Sequence, residues 1–504
     1  MTPAKTDTAM STPAPPSPAP DSKRRIPLDV VDAQGNSFYV SERKVYPRDV
    51  AGTLNRLRVA AVWWLLGMYY VFPWLRWDDR QAVLFDLPAR KFYVFGLVFW
   101  PQDFLFLSML LIIAAMSLFF FTALAGRLWC GYACPQTVWT DLFMVVERWI
   151  EGDRNERIRL DKAPMSAGKF VKRASKHAVW LLIAVLTGGA WVFYFTDAPT
   201  LLRELVTGQA PFVAYATIGV LTFTTWSLAG LMREQVCTYM CPWPRIQSAM
   251  LDEDSFIVTY KDWRGEPRGS AKSKQAGLGD CVDCMACVNV CPTGIDIRNG
   301  PQLECITCAL CIDACNDVMG KLGRQPDLIG YTTLNRDKLE AKGEPLAPIW
   351  KTLLRPRVLI YFAVWSAIGI AMLVVLAGRS RMDISVAQER NPVYVQLSDG
   401  DIRNSYTVKL LNKEARPRQF DVSVSGLAGA KLSDPVTGSE PVPSIRLDVR
   451  PDGVDTYRIQ LRAPTSSIRA EHTDIRFKAH AVDGEGDAME TARFSAPASA
   501  VAAR

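Results

Sequence analysis

The chain has 504 residues, 49% of them hydrophobic, and carries a formal net charge of +7 at pH 7. Its apolar residues are concentrated in blocks, and its Lys and Arg cluster beside those blocks. That arrangement is typical of the cytoplasmic face of a membrane protein and argues against nucleic-acid binding, for which the sequence shows no motif. The length is sufficient for several domains.

Residues 1–58 are predicted to form a polar, partly disordered cytoplasmic tail. The start of this segment includes STPAPPSPAP and runs to KRR at 23–25. It has no apolar stretch of the kind that a cleavable signal peptide needs. Its Pro- and Ala-rich composition is typical of disorder.

Five apolar runs are candidates to span a bilayer, which takes about 20 apolar residues. The first is the shortest and ends near a proline, although its Trp and Tyr residues suit the membrane interface. A further stretch, FYVFGLVFW, is too short to span, and the sequence leaves open whether it enters the membrane. The five runs are 59–75, 104–125, 178–196, 210–232 and 358–378, and the short stretch is 92–100.

The distribution of basic residues predicts how these runs are oriented. Segments 1–58, 126–177 and 233–357 are rich in Lys and Arg, whereas 77–103 and 197–209 carry few. Because basic loops stay in the cytoplasm, the N-terminus is predicted inside and the C-terminus outside. We therefore expect a four-helix transmembrane region at 59–232 with a cytoplasmic loop at 126–177, and a fifth transmembrane helix at 358–378.

Two cysteine pairs share the pattern C-x-Y-x-C-P. One lies in RLWCGYACPQTVW after the second run, and the other in CTYMCP after the fourth. Cysteines four apart point along one face of a helix, and the following proline disfavours helix at the second cysteine. If the two runs are neighbours, four thiols converge at the membrane surface: Cys130, Cys134, Cys237 and Cys241.

These four thiols form a candidate copper or redox site. Soft sulfur ligands suit Cu(I) or an iron–sulfur centre, and the alternative is that the cysteines are small apolar residues in helix packing. Reversible disulfides also remain open. Met144 and Met240 are candidate additional soft ligands, and Arg127, Arg233 and Arg245 would favour the thiolate form.

The other eight cysteines lie in two runs, CVDCMACVNVCP at 281–292 and CITCALCIDAC at 305–315. Each has the C-x2-C-x2-C-x3-C spacing of bacterial ferredoxins, whose fourth cysteine binds the other cluster. Zinc, the alternative metal, seldom uses this compact triple spacing. The predicted ligands are Cys281, Cys284, Cys287 and Cys315 for one [4Fe–4S] cluster, and Cys305, Cys308, Cys311 and Cys291 for the second.

Two further predictions concern domains. Segment 233–357 is expected to be a cytoplasmic two-cluster ferredoxin-like domain. Segment 383–504 alternates apolar and polar residues in short stretches such as FDVSVSG and SIRLDV, separated by Gly, Pro, Asp and Asn. This period of two predicts an immunoglobulin-like β-sandwich, here in the periplasm. The predicted fold class is therefore a multi-domain membrane protein with five transmembrane α-helices, a ferredoxin-like insert and a C-terminal sandwich.

This order of features resembles the cytochrome c oxidase accessory protein CcoG (FixG/RdxA) family. The resemblance rests on the doubled C-x-Y-x-C-P pairs, the two-cluster insert, the last apolar run and the sandwich. It implies a protein of the bacterial inner membrane that assists assembly of cbb3-type cytochrome oxidase by reducing Cu(II) to Cu(I). The implied partners are oxidase assembly factors, a copper chaperone or transporter, and membrane lipid.

The functional hypothesis is a membrane-bound cupric reductase with two [4Fe–4S] clusters and an unidentified electron donor. In it, Cys130, Cys134, Cys237 and Cys241 hold the copper that is reduced. One alternative is a membrane ferredoxin that relays electrons between quinol and a redox partner. Another is a non-catalytic assembly scaffold whose clusters are structural and whose outer domain docks the oxidase.

Overall fold

The computed structural model describes residues 44–77, 80–270, 277–414, 416–438, 440–484 and 486–498. The disorder predicted for the beginning of the tail therefore falls on residues outside this description. The helices are α1 (Thr53–Val71), α2 (Phe104–Ala125), α3 (Leu128–Tyr132), α4 (Pro135–Glu151), α5 (Arg154–Lys162), α6 (Ala167–Val192), α7 (Ala198–Thr207), α8 (Phe212–Thr225), α9 (Trp243–Met250), α10 (Asp262–Gly265), α11 (Ala286–Asn289), α12 (Leu310–Lys321), α13 (Leu334–Ala341), α14 (Ile349–Leu353) and α15 (Pro356–Ala377).

The strands form two small sheets beside the helices, one hairpin in the cysteine-rich part and a C-terminal sandwich. They are β1 (Arg76–Trp77), β2 (Arg80–Gln81), β3 (Val83–Asp86), β4 (Lys91–Val94), β5 (Leu97–Phe99), β6 (Ile257–Tyr260), β7 (Ile329–Thr332), β8 (Met382–Gln388), β9 (Val395–Gln396), β10 (Ile402–Asn412), β11 (Arg418–Ser425), β12 (Lys431–Ser433), β13 (Ser444–Val449), β14 (Gly453–Ala463), β15 (His472–Ala481) and β16 (Asp487–Ser495).

Among the described residues, four helices are long and apolar enough to cross a membrane: Pro101–Ala125, Ala167–Val192, Phe212–Met232 and Pro356–Ala377. They contain most of the second to fifth predicted runs. The helix Ala167–Val192 begins eleven residues before residue 178, the predicted start of the third run. The reason is that the hydroxyl of Ser166 accepts a hydrogen bond from the Lys169 amide and caps the helix there. After Thr225 the third of these helices, Phe212–Met232, continues as a π-helix to Met232.

The first predicted run, 59–75, lies mostly in α1, which is not among those four helices. Arg56 and Arg58 in its first two turns lower its apolar character. Near its start, the Asn55 amide donates to the Asp313 carboxylate at 2.7 Å, in the cysteine-rich part. Beyond its end, the β1–β2 hairpin reaches the sandwich, where Arg80 pairs with Asp452 at 2.7 Å. The α1 segment thus connects the cysteine-rich part to the sandwich.

The C-terminal strands form a two-sheet antiparallel sandwich, as predicted. One sheet has the order β12-β14-β10-β8, with β9 also paired to β10, and the other has the order β13-β11-β15-β16. Alternate residues of β10 are buried, so one face of each sheet supplies the core. The largest core residues include Tyr406, Phe420, Phe477 and Phe494, all fully buried.

The short stretch 92–100 forms β4, β5 and the turn between them rather than a helix. Its Val98 and Trp100 pack against Leu411 of the sandwich in one buried apolar group. Nearby, Arg379 pairs with Asp103 at the start of α2. This hairpin therefore joins the helical part to the sandwich.

A buried ion cluster fixes α4 against its neighbours on the cysteine-rich side. Glu147 is 2% exposed and binds Arg157 at 2.8 Å, Arg233 at 2.9 Å and Lys176 at 3.2 Å. Burial by itself would raise the pKa of this carboxyl, but Arg233, Lys176 and Arg157 outweigh burial and hold the pKa at about 2. Arg233, which the sequence suggested as a charge beside the thiols, is thus placed against Glu147.

Replacing Glu147 with Gln should lower the free energy of unfolding by about 3–5 kcal/mol, because the buried Arg157 and Arg233 lose their counter-charge, while Lys176 keeps its ion pair with Glu151 at 2.7 Å. Chemical denaturation of the detergent-solubilised protein measures this loss. The matched control is Glu253→Gln, which removes an exposed pair with Lys338 and should cost about 0–1 kcal/mol. Since the folded pKa is depressed, the stabilisation is present above pH 4.5 and is lost as the pH falls towards 2. An unchanged Glu147→Gln stability at pH 7 would contradict this assignment.

Candidate iron–sulfur and thiol site

All twelve cysteines lie among the described residues as free thiols. The two ferredoxin-type runs share one unusual backbone conformation. Asp283 and Met285 have positive φ angles of 52° and 59°, and the matching Thr307 and Ala309 have 56° and 63°. Positive φ is uncommon for residues other than glycine, and its repetition at equivalent positions marks two copies of one ligand loop, here called the first (281–291) and the second (305–315) ligand loop.

The first group of thiols combines the first run with the last cysteine of the second. Cys281, Cys287 and Cys315 are buried in one apolar group, and Cys284 is exposed. Burial raises the pKa of Cys315 to about 12, and the next contributions come from Cys284 and Cys281. Cys315 therefore lies within electrostatic reach of the first run although α12 carries it.

The second group surrounds a small cavity of about 20 Å³. Four of the five thiols lining the cavity are Cys291, Cys305, Cys308 and Cys311. Apolar side chains such as Val258 and Ile295 line the rest. Four thiol donors around an apolar space fit the chemistry of a cysteine-ligated iron–sulfur cluster.

No three His, Cys, Asp or Glu side chains in the described part of the chain are placed to hold one metal ion. This finding does not exclude a cluster at either group, because each cysteine of a [4Fe–4S] cube binds a different iron. For the membrane thiols it means that no three of the four cysteines are placed to hold a single copper ion.

The first C-x-Y-x-C-P pair is divided between two helices. Cys130 lies in α3, which ends at Tyr132, and Cys134 has extended backbone angles (φ −62°, ψ 129°) before Pro135 begins α4. The two cysteines therefore do not share one helical face, and the helix ends at the break that the proline indicated. The proline excludes the helical conformation for the residue before it.

The second pair repeats this geometry. Cys237 lies in a π-helical turn, Val236–Met240, and Cys241 is again extended (φ −78°, ψ 124°) before Pro242. Both pairs thus consist of one cysteine in a short helix and one at the break that follows it. Met240, a candidate additional ligand, is 56% exposed, whereas Met144 is buried within α4.

The two pairs lie within electrostatic reach of each other, and we call Cys130, Cys134, Cys237 and Cys241 the membrane thiol cluster. Burial raises the pKa of Cys130 to about 12, with Cys134, Cys237 and Cys241 adding to it and Arg127 opposing it. Burial also raises the pKa of Cys237 to about 12, and Cys134 and Cys241 add to it. All four thiols are half-buried.

The membrane thiol cluster packs directly on the second ligand loop. Cys130 contacts the buried group that contains Ile306 and Cys308. Gly131 is so close that a Cβ built on it would lie 2.8 Å from the Ile306 carbonyl oxygen and 3.0 Å from the Cys308 Cα. The Tyr132 hydroxyl also donates to the Cys308 carbonyl at 3.4 Å.

Arg127 ties the two parts together. Its guanidinium donates to the carbonyl oxygens of Leu303, Cys305 (3.1 Å) and Pro244 (2.7 Å). It thereby connects α3, the second ligand loop and α9. The sequence indicated Arg127 only as a charge beside a thiol, and it gave no sign of Gln247, whose Oε1 lies 3.2 Å from the Cys130 sulfur.

Gly131→Ala should separate the membrane thiol cluster from the second ligand loop, because its new methyl group would overlap backbone atoms rather than a flexible side chain. We expect a stability loss of about 1–3 kcal/mol and an altered EPR spectrum of one cluster. Gly189→Ala is the matched control, since nothing lies within 4 Å of its Cβ position. Equal behaviour of the two variants would show that the close approach is unimportant.

These features define a class: a membrane-associated iron–sulfur protein with two ferredoxin-type ligand loops and a C-terminal immunoglobulin-like domain. A family model described as a 4Fe-4S dicluster domain matches residues 232–334, and one described as a 4Fe-4S binding domain matches 107–152. A third, the IG-like fold at the C-terminus of FixG, matches 372–497.

The chain belongs to the FixG family. It is 48% identical over 465 residues to the nitrogen fixation protein FixG of Rhizobium meliloti, and the match covers 85% of this chain and 88% of that protein. It is 49% identical over 452 residues to protein RdxA of Cereibacter sphaeroides, covering 88% and 94%. A solved FixG-related protein from Vibrio parahaemolyticus is 21% identical with a TM-score of 0.20, covering 23% of this chain and 97% of that one.

Proposed function

We propose that this protein is an inner-membrane cupric reductase that supplies Cu(I) for the assembly of cbb3-type cytochrome oxidase. Cys281, Cys284, Cys287 and Cys315 would hold one [4Fe–4S] cluster, and Cys305, Cys308, Cys311 and Cys291 the other. Cu(II) would be reduced at the membrane thiol cluster. The observation that carries the proposal is the direct packing of Cys130 and Gly131 on the second ligand loop.

When bound, the clusters would supply one-electron transfer at potentials set by their surroundings. The protein contributes the thiol ligands, the apolar cavity that excludes water, and the placement of the acceptor. Arg127 supports that placement because its three carbonyl contacts keep the Cys130 helix and the second ligand loop together. The contact therefore favours the membrane thiols as the next site for an electron.

Copper is the substrate in this proposal. Buried thiols prefer Cu(I), the softer ion, so reduction strengthens binding at the membrane thiol cluster. Each thiol must lose its proton to bind, and burial raises the pKa of Cys130 and Cys237 to about 12. Since no three of these thiols are placed around one ion, we propose that one pair captures copper or that the two pairs close together on it.

The proposed topology has five crossings, with the clusters in the cytoplasm and the sandwich in the periplasm. Basic residues concentrate in the segments assigned to the cytoplasm. Further support comes from α1, which starts beside Asp313 and leads into the hairpin that contacts Asp452. An odd number of crossings follows if α1 crosses with the four apolar helices.

The sandwich is proposed to dock an oxidase assembly factor or a copper carrier. Its attachment through Arg80, Lys91 and Arg379 would hold such a partner at a defined position over the helices.

The test is an electron count on anaerobically purified protein. Iron analysis should give about eight irons per chain, as two four-iron clusters require. After chemical reduction and removal of excess reductant, added Cu(II) should yield about two Cu(I) ions per chain while the EPR signal of the reduced clusters disappears. Clusters that stay reduced in the presence of Cu(II) would reject copper as the acceptor and favour the scaffold alternative.

A further inference from the structure

A narrow cleft with about 70 Å³ of free space lies between α1, α4, the segment 47–50 and the two cysteine runs. One wall is formed by chain neighbours of two proposed cluster ligands: Val290 and Pro292 flank Cys291, and Leu310 precedes Cys311. Val290 and Leu310 pack in the buried group that contains Cys308. One layer of side chains thus separates the cleft from the second cluster cavity.

The opposite side of the cleft is apolar and exposed. Val59 and Trp63 of α1 and Val145 of α4 line it, with exposures of 44%, 63% and 48%. Val59 and Trp63 begin the first predicted run and Val145 lies in the adjoining segment assigned to the cytoplasm, so we place these side chains at the membrane interface. An apolar molecule could therefore enter the cleft from the bilayer.

The inner end of the cleft is polar and nearly neutral. Arg58 pairs with Asp141 at 2.7 Å, with their side chains 5% and 14% exposed, and Arg58 also donates to the Gly131 carbonyl at 3.1 Å. At the rim Arg148 pairs with Asp49 at 2.9 Å, and Arg48 is exposed. Because the buried arginine already has its carboxylate, a neutral polar head group suits this end better than a phosphate.

We propose that the cleft binds a lipid-soluble hydroquinone, which is the electron donor of the protein. This proposal rests on the proposed function, because a donor can deliver electrons here only if the cysteines behind the wall of the cleft hold a cluster. A hydroquinone has the required combination of a flat polar ring with neutral hydroxyls and an apolar tail. Its ring would lie at the Arg58–Asp141 end and its tail between Val59, Trp63 and Val145.

The overall reaction balances. One hydroquinone loses two electrons and two protons to become a quinone, and two Cu(II) ions gain one electron each to become Cu(I). Asp141 is placed to accept the first proton, since burial raises its pKa against the opposing charges of Arg58 and Arg148. The second proton leaves through the exposed rim beside Asp49.

The test uses the full-length protein in nanodiscs with decylubiquinone as the probe. Quinone binding should quench tryptophan fluorescence, and Trp63→Phe should remove part of that quenching without weakening binding measured by equilibrium dialysis. Val59→Trp should fill the apolar side and weaken binding at least about 10-fold. Leu57→Trp is the matched control, because Leu57 is equally a surface residue of α1 (59% exposed) but lies outside the lining of the cleft.

Decylubiquinol should reduce the native protein and the Leu57→Trp variant, and should reduce Val59→Trp at least about 10-fold more slowly. Native-like quinone binding by Val59→Trp, or a tightly bound phospholipid that decylubiquinone does not displace, would overturn the proposal. Failure of the copper proposal gives a different result: chemically reduced protein would not reduce Cu(II), while quinone binding and its loss in Val59→Trp would persist.

Discussion

Replacing all four residues of the membrane thiol cluster by serine should abolish copper reduction while leaving the other eight cysteines intact. The chemically reduced variant should convert Cu(II) to Cu(I) roughly 100-fold more slowly, since even outer-shell changes cost metal sites up to this much. The physical reason is that serine oxygen lacks the softness that stabilises Cu(I). Stopped-flow measurement with a Cu(I)-specific chelator gives the rate, and EPR reports whether the clusters remain.

Two comparisons sharpen this experiment. Thr238→Ala alters the same π-helical turn without touching a thiol, removing only a hydroxyl that donates to the Glu234 carbonyl at 2.9 Å, and should reduce copper at the native rate. Changing one pair at a time distinguishes capture by a single pair from closure of both. If closure is required, either double variant should be as slow as the quadruple variant. A native rate in the quadruple variant would contradict a role for these thiols.

The iron content of the quadruple variant decides a further question. The family model described as a 4Fe-4S binding domain covers residues 107–152 and thus includes Cys130 and Cys134. If the membrane thiol cluster holds iron and sulfur, the native protein should contain about twelve irons per chain, counting four for each of three clusters. The quadruple variant would then lose about a third of its iron. If the four thiols bind copper directly, the native protein and the quadruple variant should contain equal amounts of iron.

The sequence predicted the local features of the site better than its long-range contacts. Cysteine spacing and the prolines after Cys134 and Cys241 carry local information, because proline restricts the residue before it. The same rule indicated that helix is disfavoured at the second cysteine of each pair, and the structure places the two thiols of each pair in different elements.

The contacts that join the parts could not be read from the sequence. Arg127 binds carbonyl groups about 120 to 180 residues away, and Glu147 collects cations from three separate elements. Such contacts depend on tertiary packing, for which a single sequence gives no periodic signal. The stretch 92–100 shows the same limit, because the contact of its Val98 and Trp100 with Leu411 of the sandwich could not be read from the sequence.

The ligand exchange between the two cysteine runs should be visible in single variants. We expect Cys315→Ser to lose the same cluster as Cys281→Ser, and Cys291→Ser to lose the same cluster as Cys305→Ser. Each variant should lose about half of the iron, because one of two four-iron clusters is lost. EPR spectra of the remaining cluster, with its midpoint potential, identify which cluster each variant retains. Thr293→Ala, which removes a hydroxyl 3.3 Å from the Cys291 sulfur, is the control and should keep both.

The geometry of α12 is the reason for this expectation. Cys311 and Cys315 are one turn apart on that helix, yet Cys311 lines the second cavity while Cys315 packs with Cys281 and Cys287. In the proposed assignment the helix would therefore supply one ligand to each cluster and fix the distance between them. If Cys315→Ser instead retained the cluster that Cys281→Ser loses, each run would bind its own cluster. Cys291 would then bind the cluster of the first run. An electron that enters near Cys291 would therefore reach that cluster before the second cluster and Cys130.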